Sequence, residues 1–105
     1  MRKFWLACVL TALMPVCCWA KTFLIDVRTP EEYANGHLDG AINIEYQQIQ
    51  TKISQAGVGK GDEVILYCHS GRRAGIARET LQGLGYTHVQ NYGGMEEARK
   101  RLSTK

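Results

Sequence analysis

Cysteine is scarce in most of this sequence, and its scarcity excludes two common ways of stabilising a small domain. The chain has 105 residues and 4 cysteines, of which only Cys68 lies beyond residue 20. One thiol forms neither an internal disulfide nor a multi-thiolate zinc site. The remaining residues are just numerous enough for a hydrophobic core to hold one domain together, and too few for a second domain.

The body of the chain also lacks an excess of either charge. Its formal net charge is +3, and Arg2 and Lys3 supply two of these positive charges. A nearly neutral body argues against a nucleic-acid-binding surface and against a polybasic membrane surface. The hydrophobic content of 45% excludes intrinsic disorder. We therefore expect a folded domain that has no nucleic-acid partner and no stable membrane association.

The first 20 residues have the pattern of an export signal. Arg2 and Lys3 precede an apolar run over residues 4–16, and Ala20 is a small residue of the kind that signal peptidases prefer at the cleavage site. The run is short for a bilayer of about 30 Å, which needs about 20 apolar residues. We predict a signal peptide over residues 1–20, cleavage after Ala20, a mature domain of residues 21–105 and a periplasmic location. A retained membrane anchor is the alternative.

Strand and helix patterns alternate along the rest of the chain. Short apolar runs predict strands at residues 23–27, 41–44, 64–67 and 88–91. Apolar spacings of three and four, a Thr29 cap and glycine stops predict helices at residues 30–35, 46–56, 74–84 and 95–102. Gly93 and Gly94 are predicted to turn the chain. This alternation indicates an α/β fold with a mostly parallel central sheet and helices on both faces.

The segment that follows the third predicted strand carries the chemistry. Cys68 lies at the carboxyl end of that strand, which is where open parallel sheets bind ligands. Gly71 permits a positive φ, so that N–H groups of the loop can point inward, and the following helix adds the positive end of its dipole. Arg72 and Arg73 add fixed positive charge. Because all of these features stabilise a thiolate, we predict an ionised, nucleophilic Cys68 that solvent can reach. An inert buried cysteine is the alternative.

This Cys-x-x-Gly-x-Arg loop between a strand and a helix resembles the active site of the rhodaneses, the sulfurtransferase superfamily. The likeness extends in order along nearly all of the mature chain. It includes Asp-Val-Arg at 26–28, Pro-Glu-Glu-Tyr at 30–33, the block at 36–43, Leu-Gly-Tyr at 84–86, Val89 and Gly-Gly at 93–94. With the export signal, the sequence is most similar to the small periplasmic single-domain thiosulfate sulfurtransferases of the phage-shock type.

The resemblance implies a two-step reaction without a metal or an organic cofactor. Cys68 would take the outer sulfur of thiosulfate, release sulfite and become a persulfide. The persulfide would then pass its sulfur to a thiophilic acceptor, which is cyanide in the test tube or a thiol. The expected partners are therefore small molecules, and the protein is expected to be a monomer.

Six residues besides Cys68 are candidates for binding the sulfur donor. Arg73 matches the loop arginine of the family, and Arg72 is a second candidate contact. His69 and Ser70 either contact the donor or are exposed polar residues of the loop. Arg28 either faces the donor or, as the favoured interpretation, forms a structural ion pair with Glu32 or Asp26. The candidate set is His69, Ser70, Gly71, Arg72, Arg73 and Arg28.

Two other functions compete with this interpretation. Cysteine-dependent phosphatases and arsenate reductases also place a thiolate in an anion-binding loop before a helix. Tyrosine phosphatases have five residues between cysteine and arginine, whereas four lie between Cys68 and Arg73, and the shorter loop is cramped around a tetrahedral oxyanion. The double arginine also differs from the Gly-Val-Thr ending of mercaptopyruvate sulfurtransferases, which favours thiosulfate as the donor. A module that carries sulfur or binds a partner without catalysis is the second alternative.

Overall fold

The computed structural model describes residues 20–104. Except for Ala20, the predicted signal peptide and its alternative, a retained anchor, lie outside the described residues. Within the described part of the chain, no helix combines the length and the apolar character needed to cross a bilayer.

Four strands and four α-helices alternate in the described chain. The strands are β1 (Thr22–Asp26), β2 (Ile42–Asn43), β3 (Glu63–Cys68) and β4 (His88–Gly94). The helices are α1 (Pro30–Ala34), α2 (Ile49–Lys52), α3 (Arg72–Gly83) and α4 (Met95–Ser103). A 3₁₀ turn at Tyr46–Gln48 leads into α2.

The strands form one parallel sheet in the order β2-β1-β3-β4. Ile25 of β1 pairs with Ile42 of β2 on one side and with Leu66 of β3 on the other. The carboxyl ends of all four strands therefore lie along one edge, where Asp26 and Cys68 end their strands. The predicted α/β class with a parallel sheet is confirmed.

Two hydrophobic clusters cover the two faces of the sheet. On one face, Val64 and Leu66 of β3 pack with Ala77 and Leu81 of α3. On the other face, Ile65 and Tyr67 of β3 pack with Ala98 of α4. Successive side chains of a strand point to opposite faces, so the unbroken apolar run of β3 supplies both cores. The two clusters show that helices cover both faces of the sheet, as predicted.

Helix α1 shows how short-range signals fix an element boundary. Thr29 caps the helix by accepting the N–H of Glu32, while the Glu32 carboxylate accepts the N–H of Thr29. Pro30 occupies the first turn, where its missing N–H costs nothing. The predicted start of this helix is confirmed.

Three predicted boundaries are wrong, and each has a physical reason. Helix α3 begins at Arg72 rather than at residue 74, because Gly71 caps it in the left-handed conformation with φ 97°. The apolar spacing used for the prediction marks only the buried face and misses the exposed first turn. The helix expected at 46–56 is reduced to a 3₁₀ turn and the four residues of α2, although Ile49 and Ile53 are both buried as their spacing requires.

The third difference concerns the paired glycines. Gly93 and Gly94 continue β4 instead of turning the chain, and Gly94 pairs with Cys68 after a register shift between Leu66 and Cys68. A glycine pair is typical of a turn when only local preferences are considered. Here the missing side chains serve a different purpose, since they allow β4 to lie against the loop that follows β3.

Candidate active site

Cys68 is the last residue of β3, at the carboxyl edge of the sheet. Its Sγ accepts the backbone N–H of Gly71, with an N to Sγ distance of 2.9 Å. We call residues 68–73 the Cys68 loop. The residue is only 1% exposed, so its sulfur lies beneath the loop rather than on its surface. The predicted position at a strand end is confirmed. The expectation that solvent reaches the thiol is wrong, because Cys68 is part of the buried cluster that includes Ala74 and Ala77 of the following helix, and such burial is what the alternative of an inert cysteine predicts.

Gly71 holds the turn of the Cys68 loop in a shape that other residues rarely adopt. Its φ of 97° lies in the left-handed region, which disfavours residues that carry a Cβ. A Cβ at this position would also lie 3.2 Å from the Cα of Gly93. Both constraints explain why the sequence has glycine here, in the conformation whose N–H points at the sulfur.

The end of β4 forms one side of the Cys68 loop. A Cβ on Gly94 would lie 2.5 Å from the carbonyl oxygen of His69 and 3.6 Å from the Cα of Ser70. Real Cβ atoms essentially never come within 3.0 Å of another heavy atom. The backbone of β4 therefore approaches the loop as closely as glycine alone allows, which the sequence analysis did not predict.

Arg73 is paired with a carboxylate in this structure. Its guanidinium donates two parallel hydrogen bonds to Glu32, from Nη1 to Oε1 at 2.9 Å and from Nη2 to Oε2 at 3.1 Å. This pairing, helped by the N–H of Thr29, lowers the pKa of Glu32 to about 2, and it raises the pKa of Arg73. The pair ties the first turn of α3 to α1. A contact of Arg73 with a sulfur donor stays a prediction.

Arg28 lies in a buried polar network at the carboxyl end of β1. Its Nε and Nη2 donate to the carboxylate of Asp26, Nη2 reaching Oδ2 at 2.6 Å, and Nη2 also donates to the carbonyl of Gly36. Asp26 is fully buried, and Arg28 is 6% exposed. The favoured interpretation of Arg28, an ion pair with Asp26 or Glu32, is confirmed with Asp26 as the partner. Its alternative role at the donor stays untested.

Tyr67 completes this network and is a residue that the sequence motifs do not single out. Its hydroxyl donates to Oδ2 of Asp26 at 2.8 Å and accepts the N–H of Leu38 at 3.0 Å. Burial is the main cause that raises the pKa of Tyr67 to about 12, and the carboxylate of Asp26 acts in the same direction. A tyrosine in an otherwise apolar strand was the available signal, because a buried phenol needs a hydrogen-bond partner.

The remaining candidates, His69, Ser70 and Arg72, are exposed residues of the Cys68 loop. Within residues 20–104 their side chains have no hydrogen-bond or ion-pair partner, so they are free to meet a ligand. No group of three metal-ligating side chains occurs among the described residues.

Comparison with known proteins identifies the family. The protein-family sequence model for the rhodanese-like domain matches residues 12–101, which is most of the chain. The chain belongs to the rhodanese family. The family resemblance found in the sequence is therefore confirmed.

Curated rhodanese relatives include a thiosulfate sulfurtransferase. The chain is 43% identical over 96 residues to thiosulfate sulfurtransferase PspE of Escherichia coli, covering 91% of this chain and 90% of that protein. It is 34% identical over 82 residues to thiosulfate:glutathione sulfurtransferase of Saccharomyces cerevisiae, covering 68% of this chain and 59% of that protein.

Solved rhodanese structures share the fold described above. A rhodanese with anions from E. coli superposes with a TM-score of 0.69 at 45% identity, covering 72% of this chain and 89% of the other. The human single-domain sulfurtransferase TSTD1 superposes with a TM-score of 0.64 at 28% identity, covering 95% of this chain and 91% of the other. Both the rhodanese fold and the enzyme class expected from the sequence are supported by these likenesses.

Proposed function

We propose that this rhodanese is a thiosulfate sulfurtransferase in which Cys68 is the nucleophile. The observation that carries the proposal is the N–H of Gly71 directed at Sγ, at the junction of a strand and a helix, in a chain of this family. A thiolate is stabilised by a backbone N–H and by the positive end of a helix dipole. The sulfur therefore has the environment that a nucleophilic thiolate needs.

The first step transfers one sulfur atom. The Cys68 thiolate attacks the outer sulfur of thiosulfate, a new S–S bond forms, and the S–S bond within thiosulfate breaks. Its electron pair leaves with sulfite, which carries two negative charges, and the enzyme keeps one negative charge on the terminal sulfur of a persulfide. No proton has to move, so a general base is not required once the thiol is ionised.

The second step regenerates the thiolate. Cyanide or a thiolate attacks the terminal sulfur of the persulfide, and the electron pair of the broken S–S bond returns to Sγ of Cys68. Thiocyanate or a new persulfide is the product. No metal or organic cofactor enters either step.

The charges around the Cys68 loop suit a dianionic donor. Arg72 is exposed on the Cys68 loop and free to form hydrogen bonds, so we assign it the contact with the sulfonate oxygens, together with His69 and Ser70. Arg73 and Arg28 keep their carboxylate partners, so we assign Arg73 to holding the first turn of α3 against α1, and Arg28 to the buried network around Asp26.

The burial of Cys68 sets a requirement for this chemistry. Because Cys68 is only 1% exposed, a sulfur donor can reach its Sγ only if the Cys68 loop moves slightly to admit the donor. A small neutral alkylating agent tests this requirement directly. We expect iodoacetamide to label Cys68 in the folded protein, and no labelling below the unfolding transition would contradict the proposal.

The decisive experiment measures the mass of the intact protein before and after thiosulfate is added. The expected result is a gain of one sulfur atom with release of sulfite, and loss of that sulfur as thiocyanate when cyanide follows. Cys68→Ser is the matched control and should gain nothing. Release of phosphate from an aryl phosphate, or of pyruvate from mercaptopyruvate, without thiocyanate from thiosulfate would overturn the proposal. A persulfide that forms but turns over no acceptor would instead favour the sulfur-carrier alternative.

We also propose export to the periplasm, cleavage after Ala20 and a monomeric mature protein. Ala20 is exposed, and the backbone nitrogen of Lys21 donates to Oδ1 of Asp62 at 3.0 Å. Cleavage after Ala20 would turn this nitrogen into an ammonium group that already faces a carboxylate. The mass of the protein recovered from the periplasm, and its size in solution by light scattering, test these statements.

A further inference from the structure

We propose that Asn91 is a positioning residue of the Cys68 loop, acting on the sulfur through Gly71. This inference rests on the proposed function, because the reaction it would affect is sulfur transfer at Cys68. Asn91 lies on β4, outside the loop, and nothing in the sequence pattern of the loop indicates a role for it.

The side-chain amide of Asn91 bridges two backbones. Its Nδ2 donates to the carbonyl of Gly71 at 3.0 Å, and its Oδ1 accepts the N–H of Gly93 at 2.8 Å. The two backbone partners have opposite polarity, so one orientation of the amide satisfies both. Because the residue is half-buried, water competes poorly for these hydrogen bonds.

Gly71 transmits this contact to the sulfur. Its N–H donates to Sγ of Cys68, while its carbonyl accepts from Asn91 and from the N–H of Gly75. Glycine has little intrinsic preference that would keep it at φ 97°, so external contacts must hold it there. Asn91 fixes the carbonyl side of the residue whose N–H stabilises the thiolate.

The surroundings of Asn91 leave it just enough room. A Cβ at Gly75 would lie 3.4 Å from Nδ2, at the limit of ordinary contact. A Cβ at this position would therefore come into van der Waals contact with the amide of Asn91, which places that amide directly against α3.

The test compares Asn91→Ala with Gln90→Ala in the full-length mature protein. Gln90 is the exposed neighbour on the same strand and donates to Glu63, away from the loop. We expect Asn91→Ala to slow sulfite release in a single turnover about ten-fold with little change in the KM for thiosulfate, since Asn91 does not touch the donor. Gln90→Ala should keep the wild-type rate. Equal rates for the two variants would overturn the proposal.

Two further readouts separate positioning from a general loss of stability. Amide exchange of Gly71 should accelerate in Asn91→Ala while Ile65 in the centre of β3 stays protected, whereas simple destabilisation would accelerate both. In Asn91→Asp, a protonated carboxyl can replace both hydrogen bonds of the amide. The ratio of its rate to the wild-type rate should therefore rise as the pH falls through about 4. A ratio independent of pH would contradict the proposal.

These readouts also distinguish failure of the inference from failure of the proposed function. If the wild-type protein transfers no sulfur from thiosulfate, the proposed function is wrong, and exchange at Gly71 still reports on the loop. If sulfur transfer is normal in Asn91→Ala and exchange at Gly71 is unchanged, only the inference about Asn91 is wrong.

Discussion

The substitution Gly94→Ala should disable the Cys68 loop by steric contact alone. The φ of Gly94 is −78°, which alanine adopts without strain, so a change in backbone preference does not contribute. The added Cβ would lie 2.5 Å from the carbonyl oxygen of His69, whereas real Cβ atoms essentially never come within 3.0 Å. Either β4 or the loop must therefore move by at least 0.5 Å, and by 0.9 Å to reach the 3.4 Å of an ordinary contact.

A displacement of this size is large for a catalytic loop. Productive geometry is usually held to within about 0.5 Å, and a misplacement of about 1 Å can cost on the order of 100-fold in rate. We therefore expect the rate of sulfite release from thiosulfate to fall between about 10-fold and 100-fold. Overpacking at this site should also lower the free energy of unfolding by about 1–3 kcal/mol.

The assay is single-turnover sulfite release, with urea denaturation to measure the free energy of unfolding. Gly83→Ala is the matched control, because the same methyl group added there meets nothing within 4 Å. Gly83 is the last residue of α3, and alanine should be neutral or slightly stabilising in the helix. Wild-type sulfite release in Gly94→Ala would refute the reasoning, since it would mean that β4 does not shape the Cys68 loop.

Three further predictions concern the framework around the loop. Glu32→Gln should weaken the tie between α1 and α3 by about 1 kcal/mol or less at neutral pH, as measured by urea denaturation. Because the pKa of Glu32 is lowered from 4.5 to about 2, the stabilisation by the wild-type pair should be complete above pH 4.5 and be lost as the pH falls toward 2. A difference in the free energy of unfolding between the two proteins that does not depend on pH would argue against the pair. Tyr67→Phe should lower the free energy of unfolding by about 1–3 kcal/mol, because the buried N–H of Leu38 and the carboxylate of Asp26 each lose a partner, and an unchanged urea midpoint would show that water replaces the hydroxyl. Leu81→Ala should cost about 2–5 kcal/mol, since Leu81 is fully buried, and thermal unfolding that matches the wild type would contradict its place in the core.

Local sequence signals were sufficient to predict the helices and strands that depend only on neighbouring residues. Thr29, Pro30 and Glu32 predicted the start of α1, since a capping box depends only on residues within one turn. The apolar run of residues 64–67 predicted a strand buried on both faces, and β3 supplies both cores. The position of Cys68 at a strand end followed from the same pattern.

Ion pairs between side chains that are distant along the chain could not be predicted from the sequence. The sequence allows both Glu32 and Asp26 as partners of Arg28. The fold brings Glu32 to Arg73, 41 residues away, while Arg28 pairs with Asp26 two residues away. Both arrangements are compatible with charge and with local spacing. The choice depends on how α1 packs beside the first turn of α3, which is a property of the assembled sheet.

By itself, the sequence determined the α/β class, the parallel sheet, the family and the place of Cys68 at a strand end, because repeating apolar patterns and short motifs encode these locally. Tertiary structure alone decided that the sulfur is buried, that Gly94 lies against His69, and that Asn91 holds Gly71. The last two contacts arise where β4 lies against the Cys68 loop, between residues twenty or more positions apart. Distances of a few tenths of an ångström between such segments depend on the packing of the whole domain, which no local pattern records.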